Sequence, residues 1–183
     1  MKTPIYTSLV TTAFGLFFHA ALCANEMALS INEEMVEARF TVDYQQDFFG
    51  RLALMHADFN EIRADHLNYT FATQDTLGDF SVLLGGRAFW LDSEAGDGFG
   101  LSLGVGASKS LTERLSAAVE VFYAPDILTG GDFKNTLEID SRLSYQLLEG
   151  GAIFIGHRKL EGKGNGPTVD AYDDPYFGLQ FEF

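Results

Sequence analysis

The stretch that decides the fold is the last one in the sequence, Tyr176-Phe177-Gly178-Leu179-Gln180-Phe181-Glu182-Phe183. Apolar and polar or small residues alternate strictly along it. A strand with this period of two places one set of side chains on each face of a sheet. One face is therefore wholly apolar, which would make an exposed edge of a soluble protein prone to aggregation. A closed barrel in a membrane needs such a face toward lipid, and its last strand pairs with its first.

The same stretch resembles the C-terminal assembly signal of bacterial outer-membrane barrels. That signal reads polar-x-Gly-x-x-apolar-x-apolar, and Tyr176, Gly178, Phe181 and Phe183 occupy its four defined positions. The resemblance implies that barrel-assembly machinery is a partner of the chain during biogenesis.

The other end of the chain predicts export. Lys2 precedes a mostly apolar run over residues 5–22, and small residues follow it up to Ala24. We interpret residues 1–24 as a secretory signal peptide, cleaved after Ala24 or after Cys23. A short membrane anchor and lipidation of Cys23 are the alternatives. Residues 25–183 would then form one outer-membrane β-barrel domain without thiols, which excludes structural disulfides.

Composition narrows the class of function. The 183 residues carry 26 acidic and 12 basic side chains, for a net charge of −14, so nucleic acid is not an expected partner. Hydrophobic residues make up 46%, with 17 Phe and 7 Tyr, which is too aromatic for a disordered chain. The length fits a single domain.

Segments that alternate apolar and polar residues recur along the whole chain, with turn residues between them. They cover residues 27–31, 36–44, 48–57, 65–73, 80–90, 99–107, 115–123, 137–147, 152–160 and the terminal stretch. The facing of 152–160 stays open, because Ile153 and Ile155 compete with Phe154 for the apolar face. The pattern predicts an all-β fold, a single antiparallel up-and-down transmembrane β-barrel of about ten strands, with eight as the alternative.

The polar phase of these segments carries charges of both signs. They are Glu37, Arg39, Arg51, Arg87, Glu120, Glu138, Asp140 and Arg142. Buried charges are tolerated when they are paired, so we expect these side chains to form a charge network in a polar lumen. The apolar residues at the ends of these segments are often aromatic, as expected for the aromatic girdles at the two membrane interfaces.

Both termini of such barrels lie in the periplasm, so successive connections between strands alternate between the external and the periplasmic side of the membrane. The external connections would be 32–34, 58–64, 92–97, 124–135 and 161–174, and the periplasmic turns 45–47, 74–78, 109–113 and 148–151. Acidic residues at 92, 94 and 97 and at 170, 173 and 174 could hold Ca²⁺ or Mg²⁺ against lipopolysaccharide phosphates. Neither group has the spacing of a defined calcium motif, so we predict no metal and no cofactor.

The chain also resembles the YfaZ family of small outer-membrane proteins of Gram-negative bacteria. The stretches that carry this resemblance are Leu29-Ser30-Ile31-Asn32-Glu33-Glu34, Leu54-Met55-His56-Ala57-Asp58-Phe59-Asn60, Gly85-Gly86-Arg87-Ala88-Phe89 and the terminal strand. The resemblance implies a location in the cell outer membrane and a porin-like or structural role. It supplies no catalytic residues.

Three functions follow from these patterns. The first is a non-enzymatic outer-membrane barrel, porin-like by family, with a narrow or salt-bridge-plugged polar lumen. The second is an outer-membrane hydrolase acting at the rim through His56, Asp58, Asp65 and His66, because a His–Asp pair can activate water. The third is a surface adhesion or partner-binding barrel that uses 124–135 and 161–174. Outer-membrane lipid and lipopolysaccharide are the expected surroundings, and the oligomeric state stays open.

Overall fold

The computed structural model describes residues 24–45, 47–59, 62–94, 96–164 and 168–183. The predicted signal peptide lies outside these residues except for Ala24. The strands are β1 (Glu26–Ile31), β2 (Met35–Gln45), β3 (Phe48–Phe59), β4 (Ile62–Leu77), β5 (Phe80–Ser93), β6 (Gly96–Ser110), β7 (Leu115–Ala124), β8 (Thr129–Gly131), β9 (Asn135–Leu148), β10 (Gly151–Lys163) and β11 (Thr168–Glu182). A short 3₁₀ helix, Asp126–Leu128, joins β7 to β8. Among the described residues, no helix is long and apolar enough to cross a membrane.

The strands form one closed antiparallel sheet. From β1 to β7 each strand pairs with the next one in the chain, β7 pairs with β9, β9 with β10 and β10 with β11, and β11 pairs with β1, which closes the barrel. The three residues of β8 pair only with β6, beyond the point where β7 leaves it, so β7 and β8 fill one place in the wall. The barrel therefore has ten strand positions. This confirms the all-β up-and-down prediction and selects ten strands over eight.

The barrel has two unlike ends. We call the end that carries Asn25 and Phe183 the terminal end, and it also carries the connections β2–β3, β4–β5, β6–β7 and β9–β10. The remaining connections between strands lie at the opposite end, which we call the distal end. Two terminal-end turns place a glycine in the left-handed region, Gly78 at φ +64° and Gly150 at φ +70°, where a side chain would be strained. The longest described connection, residues 125–134, lies at the distal end, as expected.

Two predicted distal loops are largely strand. The ladder between β10 and β11 continues to Lys163 and Thr168, so most of 161–174 is a paired hairpin. The ladder between β5 and β6 likewise continues through Asp92 and Asp97. Their polar composition suggested loops, but backbone pairing does not require apolar side chains on the outward face, and inward residues such as Leu91, Ala171 and Tyr172 are buried in the barrel.

The outer surface of the wall is an apolar band. Its side chains face away from the barrel, and Leu103 is 67% exposed and Phe99 61% exposed. The band ends at the distal side in a row of polar outward residues on four adjacent strands, His56, Asp65, Asp92 and Asp97, each directly opposite the next. A continuous exposed apolar belt of this kind is what a membrane-spanning barrel presents to lipid.

The lumen is partly apolar. A distal cluster packs Met35, Met55, Leu91, Phe133, Leu160 and Tyr172 inside the barrel. Phe133 comes from the 125–134 connection, which folds inward so that this ring is only 5% exposed. A second cluster of Phe49, Ala72, Leu83 and Phe122 lies toward the terminal end. The inward phase therefore contains apolar side chains that were not expected, because alternation alone does not reveal which inward residues are apolar.

The closing seam is the join between β1 and β11. β1 is six residues long, whereas β11 has fifteen. At the distal end, the Asn32 amide donates hydrogen bonds to the Tyr172 hydroxyl (2.7 Å) and the Pro175 carbonyl (2.8 Å). At the terminal end, the Phe183 N–H donates to the Asn25 carbonyl (2.8 Å). Both ends of the seam are therefore held by hydrogen bonds beyond β1.

Candidate functional site

A layer of paired charges crosses the lumen on the terminal side of the distal cluster. We call it the charged layer. Its members are Glu37, Arg39, Arg51, Arg87, Glu120, Glu138, Asp140 and Arg158. They come from six strands and share the inward phase of the alternation. Four arginines balance four carboxylates, so the layer is formally neutral.

Arg158 lies at the centre of the charged layer. Its side chain is 1% exposed. Its guanidinium donates twice to Glu37, with Nη2 at 3.1 Å, and donates to Asp140 at 2.6 Å. Its Nε lies 3.7 Å from a Glu138 oxygen and has no hydrogen-bond partner among the described residues. One buried cation therefore joins carboxylates from β2 and β9.

Arg39 completes the same group from β2. Its guanidinium donates to Glu37 and to Asp140, and both of these contacts are close. The Tyr176 hydroxyl also donates to Asp140. Asp140 thus accepts hydrogen bonds from Arg39, Arg158 and Tyr176, as a buried carboxylate requires.

A second group of ion pairs extends the layer toward β3, β5 and β7. Arg51 donates from Nη1 to both oxygens of Glu120, at 2.8 and 2.9 Å. Arg87 donates to Glu138, and its Nη2 lies 3.8 Å from Glu120. The Arg87 Nε–H also donates to the Thr70 hydroxyl (2.8 Å). Arg87 therefore connects the two groups into one network.

Glycines in the wall make room for the aromatic rings that support these cations. A Cβ at Gly104 would lie 2.2 Å from the Phe122 ring, and the Arg87 guanidinium carbon lies 3.6 Å from the centre of that ring. A Cβ at Gly178 would lie 2.3 Å from Phe154. Without side chains at these two positions, the rings pack flat against the inner wall and offer their faces to cations.

The structure brings together seven of the eight charges expected to form the lumen network. Arg142 is the exception. It faces the lumen, but its guanidinium carbon lies 4.4 Å from the centre of the Phe154 ring, and its hydrogen bond goes to Gln180 (3.5 Å). Arg158 takes the place in the network that the sequence assigned to Arg142.

The sequence alone does not assign Arg158 to the network, because it does not show which side chains of β10 face the lumen. In the structure, Phe154 and Arg158 point inward and are buried, while Ile153 and Ile155 point outward and are exposed. The useful signal lies on another strand: Gly178 is directly opposite Phe154 and leaves room for its ring. That relation depends on the pairing of β10 with β11, which a single segment does not reveal.

The four residues of the assembly-signal pattern have distinct places in β11. Tyr176 and Gly178 face the lumen, where Tyr176 binds Asp140 and Gly178 accommodates Phe154. Phe181 and Phe183 are exposed on the outer surface. These positions give each residue a role in the folded wall. Recognition of the pattern by assembly machinery stays a prediction.

The proposed hydrolase residues do not converge. His56 Nδ1 lies 2.7 Å from an Asp65 oxygen on the outer surface. Asp58 is also exposed and lies opposite Arg63 in the ladder. His66 points the other way into the barrel, where it is buried beside Phe89. The four groups therefore share no single site.

The acidic residues of the hairpin between β10 and β11 are engaged with protein groups. Lys159 Nζ, above the apolar band, lies 3.1 Å from Glu161, 3.5 Å from Asp170 and 3.7 Å from Asp173. The hydrogen bond with Glu161, followed by the charge of Asp170, raises the pKa of Lys159. Asp174 accepts from Asn32 (3.1 Å). No three His, Cys, Asp or Glu side chains of the described ranges are grouped in a way that could hold a metal ion.

A polar cavity, which we call the vestibule, lies on the terminal side of the charged layer. Its volume is about 490 Å³. Side chains of the charged layer, Arg39, Arg51, Glu120 and Asp140, line its inner end. Its walls include Arg142, Ser116, Ser144, Gln146 and Gln180. The charged layer and the distal cluster together separate this vestibule from the distal mouth.

Comparison with known proteins gives one family and several similar barrels. The chain is similar to the KdgM porin solved in complex with disordered oligogalacturonate (10% identity, 86% of this chain and 98% of that chain, TM-score 0.47) and to the NanC porin (11%, 86% and 97%, 0.48). It is also similar to OmpT of Vibrio cholerae (9%, 81% and 56%, 0.43). A search of curated protein sequences finds no match. The model of the YfaZ family, described as YfaZ precursor, matches residues 8–183, so the chain belongs to the YfaZ family.

Proposed function

We propose that this protein is a closed outer-membrane barrel: non-enzymatic, porin-like in fold, and a poor conductor of ions. The observation that carries the proposal is the charged layer, which spans the lumen and is backed by the distal cluster. A permeating ion would have to pass both a network of paired, buried charges and a group of packed apolar side chains.

The outer surface supports the membrane location. The apolar band would face outer-membrane lipid, and the polar row at its distal edge would face lipopolysaccharide headgroups. The terminal end would then lie in the periplasm, as in other barrels of this kind, and the vestibule would open there. The outward polar residues near Lys159 would lie in the external solution.

The size of the barrel supports a closed lumen. Side chains largely fill a barrel of about eight strands, whereas open aqueous channels occur at about sixteen. The equal number of positive and negative charges in the charged layer also favours a closed lumen. Separating a buried pair leaves charges without partners, which costs several kcal/mol, on the order of 3–5, so thermal opening of this layer is rare.

The geometry of the rim supports a role without catalysis. His66 is separated from His56 and Asp65 by the wall of the barrel, so the side chains proposed for a hydrolase do not surround one position for a substrate. A general base must lie within hydrogen-bonding reach of the group that it deprotonates, together with the other groups of its site.

Planar-bilayer recording of the refolded protein tests this proposal. We expect no discrete current steps from the wild-type protein, while an open porin measured in the same bilayers shows them. Heat-modifiable gel mobility of the same preparation verifies that the barrel is folded. Large, discrete steps from folded wild-type protein would refute the closed lumen and make a true porin the better description.

A further inference from the structure

We propose that the vestibule is a binding site for a small, singly charged organic anion, whose carboxylate or phosphodiester group pairs with Arg142. The binding claim stands on the vestibule alone. Only the compartment from which the ligand enters, the periplasm, rests on the proposed function.

The first observation is a difference among the lumen arginines. Each arginine of the charged layer has a carboxylate within 4.0 Å. Arg142 has none among the described residues, and its one hydrogen bond, to the Gln180 amide oxygen, is 3.5 Å long. A guanidinium has five N–H donors and no acceptor, so Arg142 keeps donors without protein partners. Because the group is half-buried, an anion would bind it more strongly than in bulk water.

The second observation is that Arg142 is held in place. Its guanidinium lies over the Phe154 ring, which is only 2% exposed and is fixed by the space at Gly178. Stacking on a ring uses the face of the guanidinium and leaves the N–H groups at its edge free. Those edge donors form the planar fork that binds carboxylate or phosphate with two parallel hydrogen bonds.

The third observation concerns the rest of the ligand. A volume of about 490 Å³ exceeds the space of a single inorganic ion. Hydroxyl and amide groups of Ser116, Ser144 and Gln146 line the same cavity and suit a ligand that carries hydroxyl or amide groups of its own.

Carboxylates in the wall near Gln180 limit the negative charge that the ligand can carry. The Gln180 amide nitrogen donates to Glu26 (2.9 Å), and this bond turns the amide oxygen toward Arg142. Glu26, Glu113 and Glu182 also line the vestibule. These carboxylates would repel a multiply charged anion, so one negative charge per ligand is expected.

Titration of the refolded protein in detergent micelles tests the proposal, with gluconate, acetate and inorganic phosphate as probes. The arginine Nε–H resonances are followed by NMR, and the Arg142 resonance is identified by its absence in Arg142→Gln. We expect a saturable shift of the Arg142 resonance with gluconate in the wild-type protein. Affinities of wild type and variants are compared on the Nε–H resonances of Arg39 and Arg51, which line the same cavity, and the affinity should fall by about tenfold or more in Arg142→Gln, as expected for loss of hydrogen bonds to a charged group. Arg114→Gln is the matched control, because Arg114 also lines the vestibule but is exposed at its mouth.

The outcomes separate the parts of the proposal. Tighter binding of gluconate than of acetate or phosphate supports an organic ligand, whereas equal binding overturns that part and leaves a simple oxyanion site. Equal losses in Arg142→Gln and Arg114→Gln would show a diffuse charge effect and overturn the site. No saturable shift with any probe would do the same. If Arg142→Gln does not fold, Arg142→Lys keeps the cation, loses the fork and should bind more weakly than wild type. Bilayer currents are measured separately, so failure here leaves the closed lumen standing.

Discussion

Replacing Arg158 by Met should destabilise the barrel by about 3 kcal/mol. Arg158 is fully buried and contacts Glu37, Glu138 and Asp140. Met has a similar length and is flexible, so the change removes the charge while leaving little empty space. The charged layer would then hold three arginines and four carboxylates, with one negative charge uncompensated.

The magnitude follows from the partners that remain. Removing one member of a buried ion pair costs about 3–5 kcal/mol when the other is left alone. Here Glu37 and Asp140 keep Arg39, and Glu138 keeps Arg87. No carboxylate loses its last cation, so we expect the lower limit of that range rather than a sum over the broken contacts.

Urea unfolding of the barrel in lipid vesicles measures this free energy. Arg114→Met, at an exposed position, is the control and should change the stability by no more than about 0.5 kcal/mol. The double variant Arg158→Met with Glu37→Gln restores neutrality and should be more stable than Arg158→Met alone.

The reasoning fails if Arg158→Met is within about 1 kcal/mol of wild type, which is below the cost of an uncompensated buried charge. It also fails if the double variant is no more stable than the single one. Either result would mean that water enters the charged layer and replaces the missing cation.

Three further changes probe the wall. Gly104→Ala should destabilise by about 1–3 kcal/mol in the same unfolding assay, because the added Cβ would lie 2.2 Å from the Phe122 ring. Leu103→Arg, on the outer band, should cost about 2–4 kcal/mol if it lies near the bilayer midplane, whereas Ser144→Arg should cost less because its side chain can extend into the vestibule. Phe183→Asp should reduce assembly in cells, measured by heat-modifiable gel mobility of membrane fractions.

Two of these changes have a control on the same wall. Gly86→Ala tests the glycine argument, because a Cβ there would meet its nearest atom only at 3.8 Å. Equal losses at Gly86 and Gly104 would contradict it. Equal sensitivity at Leu103 and Ser144 would contradict the assignment of outer and inner faces. Normal surface levels of folded Phe183→Asp protein would remove the assigned role of the terminal residue.

The sequence predicted the wall far better than the contents of the lumen. Strand alternation is local, and lipid imposes it on every strand, so the ten strands, and the outward phase of all of them except β10, could be found one segment at a time. The inward phase follows a different rule. Leu160 and Met55 are apolar and face inward, because the distal cluster excludes water without any need for alternation.

The sequence predicted that paired charges would fill part of the lumen, but it did not identify all of the residues that form the charged layer. Mixed charges in one phase indicated pairing, yet which arginine meets which carboxylate depends on strand register and on the tilt of the barrel. Arg142 and Arg158 illustrate this. Both face inward, but only Arg158 lies at the level of Glu37 and Asp140, a relation between strands that are distant in the chain.

The number of backbone hydrogen bonds between neighbouring strands varies around the barrel, and the short strand β1 makes few of them. β1 is six residues long between neighbours of eleven and fifteen, so the fewest backbone hydrogen bonds join the wall along its two edges. Regions with few such bonds open at the lowest free energy. Unfolding should therefore begin as a lengthwise split beside β1, at the step where the ion pairs that join Glu37 and Arg39 of β2 to Arg158 and Asp140 across the lumen also break. Amide protons of β1 would exchange with solvent ahead of those in β4 and β5, and folding would finish at the line where unfolding starts.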